Sequence, residues 1–248
     1  MRHPTGMSPH PPFRSSLRDC ALFLDIDGTL LDFSISPGAV VVPSGIPATL
    51  RTLQQQLGGA LAFISGRSAA DIEALFGPSI AMGAEHGALL RMADGTVIFE
   101  TVPDPALATI IQDLRKAIAF YPGVLLEEKR YGMTLHWRAT PAAAQDIKSL
   151  ARRMVAPYPG LVLLPAHEAL EIRMNGVDKA IALEKFMALP PFAGRLPIFI
   201  GDDVTDEAAI ARASAMGGLG LHVARNFNHS PQAVRNWLAE SVTDVNAV

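Results

Sequence analysis

Two pairs of aspartates, far apart in the chain, each follow an apolar run that is typical of a buried strand. Asp25 and Asp27 come after Ala-Leu-Phe-Leu, and Asp202 and Asp203 come after Ile-Phe-Ile-Gly. Buried parallel strands are nearly continuous hydrophobic runs, and open α/β sheets bind ligands at the carboxyl ends of their strands. If the first strand stays extended through Ile26, its two carboxylates point the same way. The pattern therefore predicts one acidic site at one edge of one sheet.

Carboxylates gathered there without partners would repel each other and would be costly to desolvate. A hard divalent cation such as Mg²⁺, which prefers oxygen ligands, would neutralise them. Taken alone, Asp25-Ile26-Asp27-Gly28-Thr29 could equally be an ordinary acidic turn, and the second acidic cluster favours the metal site. For Asp206 and Glu207 the alternative is a favourable interaction with a helix dipole, which acids in a first helical turn commonly make.

Composition limits the class of protein. The 248 residues are 49% hydrophobic and 18% charged, which is typical of a folded globular protein and not of a disordered one. The formal net charge of -3 gives no reason to expect a nucleic acid or an anionic membrane as partner. Cys20, the single cysteine, opens an apolar strand and is expected to be a small buried hydrophobe. With no membrane-spanning run and no signal-peptide core, we expect a cytoplasmic protein.

The order of patterns predicts two domains after a flexible tail at residues 1–18. Apolar strands alternate with amphipathic helices over residues 19–102 and 175–248, which predicts a Rossmann-like, mainly parallel sheet with helices on its faces. Between them, residues 103–174 show paired strands between two helices, which indicates a small α+β domain inserted as a cap. Ser65 follows another apolar strand, directly before a helix, where a hydroxyl and backbone N–H groups can hold phosphate.

These motifs together resemble the haloacid-dehalogenase-like phosphotransferases. Four signature elements match in order, namely Asp25-Ile26-Asp27-Gly28-Thr29, Ser65, Lys179 and Gly201-Asp202-Asp203. Within that superfamily the chain is most similar to the trehalose-6-phosphate phosphatase family. The further runs that carry this closer resemblance are Ser65-Gly66-Arg67, Gly83-Ala84-Glu85-His86-Gly87, Glu127-Glu128-Lys129, His136-Trp137-Arg138 and Gly201-Asp202-Asp203-Val204-Thr205-Asp206-Glu207.

The resemblance implies catalytic roles for Asp25, Asp27, Ser65 and Lys179. Asp25 would attack phosphorus and become an aspartyl-phosphate, and Asp27 would protonate the leaving oxygen and later activate water. Ser65 and Lys179 would hold the phosphate. The implied Mg²⁺ ligands are the carboxylates of Asp25 and Asp202, the backbone carbonyl of Asp27, and Asp203, directly or through water.

Substrate specificity is expected to come from the cap. Along residues 133–138 the polar Thr134, His136 and Arg138 share one face of a strand, and a second strand alternates likewise around Glu171. The simplest alternative is a half-buried sheet that shows its polar face to water. The resemblance instead implies substrate binding by Arg67, Glu127, Lys129, His136, Arg138 and Glu171.

The expected activity is Mg²⁺-dependent hydrolysis of trehalose 6-phosphate to trehalose and phosphate, in trehalose biosynthesis, at a site between the two domains. The expected partner is this phosphorylated disaccharide, without nucleic acid or membrane, and the chain is expected to be a monomer or weak oligomer. One alternative is a phosphatase for another sugar phosphate, such as sucrose 6-phosphate or a glycosyl-glycerate phosphate. The others are a phosphosugar mutase and a non-catalytic sugar-phosphate sensor, which should have lost an acid from one of the pairs.

Overall fold

The chain forms two compact units in the computed structural model, which describes residues 17–32, 40–166 and 168–243. The first unit contains the chain up to Ile98 and again from Asp178, and the second, called the inserted unit below, is Phe99–Val177. The sequence placed the corresponding limits at 103 and 174. The predicted tail lies outside the described residues, apart from a short 3-10 helix at Leu17–Asp19.

A seven-stranded sheet carries the first unit, with strands numbered along the whole chain and ordered β11-β10-β1-β2-β3-β4-β5. Five strands are mutually parallel, and β4 is antiparallel to β3. The mainly parallel α/β core predicted from the sequence is therefore confirmed. The strands are β1 (Cys20–Leu24), β2 (Leu61–Ile64), β3 (Ala81–Ala84), β4 (Leu89–Arg91), β5 (Val97–Glu100), β10 (Leu196–Gly201) and β11 (Leu219–His222).

Six α-helices accompany this sheet in the described part of the first unit. Ser68 caps the second of them, as predicted, by accepting a hydrogen bond from the backbone N–H of Asp71. The shortest helix was not predicted, since four residues give no readable periodicity. The helices are α1 (Ile46–Gln56), α2 (Ala69–Phe76), α5 (Lys179–Met187), α6 (Glu207–Ala215), α7 (Val223–Asn226) and α8 (Pro231–Thr243).

Helix α5 is anchored on the central strand by aromatic packing. The ring of Phe23, in β1, lies 6.1 Å from that of Phe186 and 5.4 Å from that of Phe192, centroid to centroid. Lys179 and Phe186 are seven residues apart, so they share one face of α5. Asp25 is two residues beyond Phe23 and points to the same side of the extended chain. Burial of Phe186 against β1 therefore brings the first residue of α5 to Asp25.

A strained turn follows β3 and supports the loop that follows β2. Glu85 and His86 have φ values of +46° and +60°, which side chains other than glycine rarely adopt. The backbone N–H of His86 donates to the carbonyl of Ser65 at 2.8 Å, and that of Glu85 donates to the carbonyl of Arg67 at 2.9 Å. The loop Ser65-Gly66-Arg67 is thus fixed by backbone bonds at both ends.

The inserted unit has its own antiparallel sheet and its own core. Its strands run in the order β6-β7-β9-β8, and helices α3 and α4 pack against them. Met133, Leu135 and Ile172 are fully buried in its core cluster, as the predicted apolar faces require. The elements are α3 (Ala106–Ile118), β6 (Leu125–Glu128), β7 (Gly132–His136), α4 (Ala144–Val155), β8 (Leu161–Ala166) and β9 (Ala169–Met174).

Two expectations about the chain as a whole concern membranes and thiols. Among the described residues, no helix combines the length and the apolar character needed to cross a bilayer. Cys20 is buried, as expected, and burial raises the pKa of its thiol.

The first prediction concerns Gly66, where the backbone passes close to the ring of His86. A Cβ at position 66 would lie 2.7 Å from Nε2 of His86, and the strained, buried turn leaves that ring little room to move. We expect Gly66→Ala to lower the free energy of unfolding by about 1–3 kcal/mol, measured by urea denaturation. Gly45→Ala is the control, because nothing lies within 4 Å of its added methyl group. An equal effect of both substitutions would contradict the close approach.

Candidate active site

A buried lysine joins the two acidic segments at the carboxyl ends of β1 and β10. The Nζ atom of Lys179 donates to Oδ1 of Asp25 and to Oδ1 of Asp206, each at 2.7 Å. Asp25 and Lys179 are 4% and 2% exposed, and Asp206 is fully buried. The structure thus brings together the predicted catalytic residues Asp25 and Lys179 and adds Asp206 to them.

Asp202 and Thr29 complete this group. The hydroxyl of Thr29 lies 3.3 Å from Oδ2 of Asp25 and 3.3 Å from Oδ1 of Asp202. Carboxylate oxygens of Asp25, Asp202 and Asp206 all lie within 4.8 Å of one another. Below, these three carboxylates are called the acidic cluster.

Electrostatics make the acidic cluster unfavourable as it stands. Burial raises the pKa of Asp25 well above its ordinary value, and the charges of Asp206 and Asp202 add to this, while Lys179 opposes it. Burial likewise raises the pKa of Asp202 to about 7, with Asp206 and Asp203 contributing. Burial alone would lower the pKa of Lys179, but the charges of Asp206 and Asp25 outweigh it, and the pKa is raised.

The acidic cluster fits a divalent cation. Three carboxylates face one ammonium group, so two negative charges lack compensation when all are ionised, and carboxylate oxygens are the ligands that hard cations prefer. A bound cation would remove the unfavourable repulsion that raises the pKa of Asp202. The residues present therefore suit a metal ion, without identifying which one.

Asp203 and Asp27, the other two predicted metal ligands, have carboxylates that lie outside the acidic cluster. Oδ1 of Asp203 accepts hydrogen bonds from the N–H and the hydroxyl of Thr205, at 2.7 and 2.6 Å. Burial acts against it, but the charge of Lys179 and these hydrogen bonds lower the pKa of Asp203. Asp27 was expected to offer its backbone carbonyl, which stays a prediction, and its carboxylate binds Arg67.

The loop after β2 contributes Ser65 and Arg67 to the same end of the sheet. Ser65 is 1% exposed, and its Oγ lies 3.3 Å from the backbone nitrogen of Arg67. The Arg67 guanidinium binds both carboxylate oxygens of Asp27, from Nε to Oδ2 and from Nη2 to Oδ1, each at 2.6 Å. Strands β1 and β2 are parallel neighbours, which is why residues just beyond their ends meet.

Within the inserted unit, four of the predicted substrate-binding residues form one polar cluster. Lys129 Nζ lies 3.1 Å from Oε1 of Glu171 and 3.8 Å from Oε1 of Glu127. Nε2 of His136 lies 2.8 Å from the other carboxylate oxygen of Glu127. Burial would raise the pKa of Glu127, but the His136 hydrogen bond and the Lys129 charge lower it. These four residues are called the cap cluster below.

The polar face of this sheet is more buried than a water-facing surface would be. Glu171 is 7% exposed and Thr134, its cross-strand neighbour, is 5% exposed. The Thr134 hydroxyl has no hydrogen-bond partner among the described residues. Arg138, also predicted to bind substrate, donates from Nε to Glu168 at 3.1 Å instead of joining the cap cluster.

Sequence reasoning missed Asp206 and Thr29 as members of the site. Oδ2 of Asp206 accepts the backbone N–H groups of Asp202 and Asp203, at 3.0 and 3.2 Å, so its side chain turns back and does not cap α6. The signal was Gly201, where an added Cβ would lie 2.3 Å from Cγ of Asp206. Only glycine lets the carboxylate approach that closely.

Comparison with known proteins agrees with this geometry. A family model for trehalose-phosphatase matches residues 23–236. The chain is 35% identical to trehalose-6-phosphate phosphatase of Escherichia coli (strain K12) over 226 residues, covering 91% of this chain and 83% of that protein. It is 37% identical to a probable trehalose-phosphate phosphatase of Sinorhizobium fredii over 211 residues, covering 84% and 79%.

Solved structures show the same fold at low sequence identity. The C-terminal domain of a Candida albicans trehalose-6-phosphate phosphatase superposes with a TM-score of 0.78 at 17% identity, covering 91% of this chain and 92% of that one. A haloacid dehalogenase-like hydrolase from Bacteroides thetaiotaomicron gives a TM-score of 0.63 at 15% identity, covering 91% and 98%. The fold is therefore haloacid-dehalogenase-like, and the chain is an enzyme of the trehalose-phosphatase family.

Proposed function

We propose that this enzyme hydrolyses trehalose 6-phosphate to trehalose and phosphate through an aspartyl-phosphate on Asp25, with Mg²⁺ as cofactor. The observation that carries the proposal is the buried Asp25, held by Lys179 beside two further carboxylates, in a chain of this family. Phosphoryl transfer needs a placed nucleophile and positive charge around the phosphoryl oxygens, and little other chemistry from the protein.

The nucleophile and its lysine are the first part of the proposed mechanism. Oδ1 of Asp25 accepts from Lys179, which fixes the carboxylate while Oδ2 faces Thr29. An ammonium group has three N–H donors, and the bonds to Asp25 and Asp206 use two of them. The third can donate to a phosphoryl oxygen, so Lys179 would hold nucleophile and phosphate together.

Cation and hydroxyl are the second part. Mg²⁺, when bound, supplies positive charge that offsets the charge on the phosphoryl oxygens. We propose that Asp25, Asp202 and the carbonyl of Asp27 hold it, with Asp203 acting directly or through water and Asp206 orienting Lys179. Ser65 Oγ accepts from the Arg67 N–H and can still donate its own proton to phosphate.

Asp27 is the proposed proton donor to the leaving sugar oxygen. It would pass its proton to the C6 oxygen of the glucosyl group and take a proton back from the water that attacks the aspartyl-phosphate. A sugar alkoxide is a poor leaving group, so the first transfer matters for the rate.

The cap cluster is the proposed binding site for sugar hydroxyls. Two carboxylates share one lysine there, so they retain unpaired lone pairs that can accept hydroxyl protons. Charge-assisted hydrogen bonds of this kind are strong and directional. Arg138 is proposed to contribute from its place beside Glu168.

The activity is tested directly with a phosphate-release assay. Purified protein with Mg²⁺ should release phosphate from trehalose 6-phosphate far faster than from glucose 6-phosphate or sucrose 6-phosphate. Asp25→Asn should reduce kcat by a factor of about 10³ or more while the melting temperature shows an intact fold. Asp113→Asn, at an exposed carboxylate, should leave kcat unchanged. Equal rates on the three esters would refute the sugar specificity, and an active Asp25→Asn variant would refute the nucleophile.

The pKa of Asp202 predicts how the cation depends on pH. Because this pKa is raised, the proton on Asp202 stabilises the metal-free fold at low pH, and that stabilisation is lost as the pH rises towards about 7. Mg²⁺ must displace the same proton, so it should raise the melting temperature more at about pH 8 than at about pH 5.5. Asp202→Asn should abolish the difference. A larger Mg²⁺ effect at the lower pH would contradict the proposed ligands.

The role of the cap cluster is tested with two neighbouring glutamates of β6. Glu127→Gln should raise KM for trehalose 6-phosphate about 10-fold to 100-fold, since a charge-assisted hydrogen bond contributes about 1.5–3 kcal/mol. Hydrolysis of p-nitrophenyl phosphate, which has no sugar, should not change. Glu128→Gln is the matched control, because Glu128 points to the opposite face and pairs with Arg115. Equal KM values for the two variants would remove Glu127 from the substrate site.

A further inference from the structure

The ion pair between Arg67 and Asp27 has a geometry that fixes a carboxylate. Its two parallel bonds, each 2.6 Å long, join the fork of the guanidinium to both oxygens of Asp27. The side chains are 11% and 33% exposed, so solvent only partly screens them. Bidentate arginine–carboxylate pairs are among the strongest and most directional hydrogen-bonded contacts in proteins.

Both partners of this pair are held by their backbones. The carbonyl of Arg67 accepts from the Glu85 N–H, and the N–H of Arg67 lies 3.3 Å from Ser65 Oγ. On the other side, the N–H of Gly28, next to Asp27, donates to the carbonyl of Leu31 at 2.8 Å. With both ends anchored, the guanidinium determines the direction in which the Asp27 carboxylate points.

We propose that Arg67 is a positioning residue that aims the Asp27 carboxylate at the leaving oxygen of the substrate. This inference rests on the proposed function and replaces the substrate-binding role that the sequence resemblance implied for Arg67. The fork that would otherwise grip phosphate binds the two oxygens of Asp27. Arg67 therefore acts on the reaction through Asp27.

The step that depends on this positioning is the transfer to Asp25. A bond forms between phosphorus and an Asp25 oxygen, while the bond between phosphorus and the ester oxygen breaks and leaves its electron pair on that oxygen. The ester oxygen of a sugar takes a proton from Asp27 as it leaves. A p-nitrophenolate group is a stable anion and leaves without that proton. A misdirected Asp27 therefore slows sugar phosphates more than aryl phosphates.

The test compares kcat/KM for trehalose 6-phosphate and p-nitrophenyl phosphate, because kcat/KM reports the steps up to the first irreversible transfer. Arg67→Lys keeps the charge but loses the fork. We expect it to lower kcat/KM about 10²-fold or more for the sugar ester and less than about 10-fold for the aryl ester, since general acid catalysis contributes about 10²–10⁴-fold. Equal losses on both esters would overturn the proposal and indicate direct contact with phosphate.

A double-mutant cycle with Asp27→Asn tests whether Arg67 acts through Asp27. If it does, Arg67→Lys should add less than about 3-fold to the loss that Asp27→Asn causes on the sugar ester, whereas independent effects would multiply. Full multiplication would contradict the inference. Arg91→Lys is the matched control: Arg91 is a partly buried arginine of the same unit that pairs with Glu73, and it lies opposite Met82 in the β3–β4 register, away from the carboxyl end of β3. It should leave the ratio of the two kcat/KM values unchanged.

The proposed function and this inference fail in different ways. If wild type cleaves another sugar phosphate better than trehalose 6-phosphate, the sugar assignment fails, and that ester takes its place in the comparison with the aryl ester. If wild type cleaves trehalose 6-phosphate and Arg67→Lys treats both esters alike, only the inference fails. Melting temperatures of all variants, with and without Mg²⁺, separate these outcomes from misfolding. A folded wild type that cleaves no ester contradicts both.

Discussion

The ammonium group of Lys179 holds the acidic side chains of the first unit together. Asp25 and Asp206 come from the ends of two different strands, and each of them ends on this one atom. Breaking a buried ion pair by removing one partner typically costs about 3–5 kcal/mol, because the other charge stays buried without compensation. The lysine reaches its place because the same face of α5 buries Phe186 against Phe23. Aromatic packing and the charged site are therefore one arrangement.

The two units use the same electrostatic design for different chemistry. In each, one lysine lies between two carboxylates: Lys179 in the first unit and Lys129 in the inserted unit. The first has a third carboxylate close by, and its excess charge suits a cation. The second has a histidine beside one glutamate and is partly exposed, and its excess acceptors suit hydroxyl groups. Neither excess would be favourable in a protein without a ligand for it.

Patterns of period two and the acidic motifs carried most of the prediction from sequence. Residues 133–138 alternate between core and polar face as expected, and Asp25, Asp202 and Lys179 meet at one end of the sheet. Strand β3 was missed because Ala-Met-Gly-Ala lacks the branched and aromatic residues that indicate a strand. The left-handed turn at Glu85 and His86 was missed because neither residue favours that conformation, and only tertiary contacts impose it. Asp206 was missed because its local sequence equally suits a helix start.

The separation of the paired residues along the chain has a consequence for biosynthesis. Asp25 and Lys179 are 154 positions apart, and the hydroxyl of Thr29 meets a carboxylate 173 positions away. A ribosome makes the nucleophile early and its counter-charge late. Until α5 emerges from the exit tunnel, the carboxylate after β1 has no cation to accompany it into the interior, so it remains hydrated. The central strand can be sealed only when both ends of the polypeptide are present, and a prematurely terminated product would hold neither the fold nor the site.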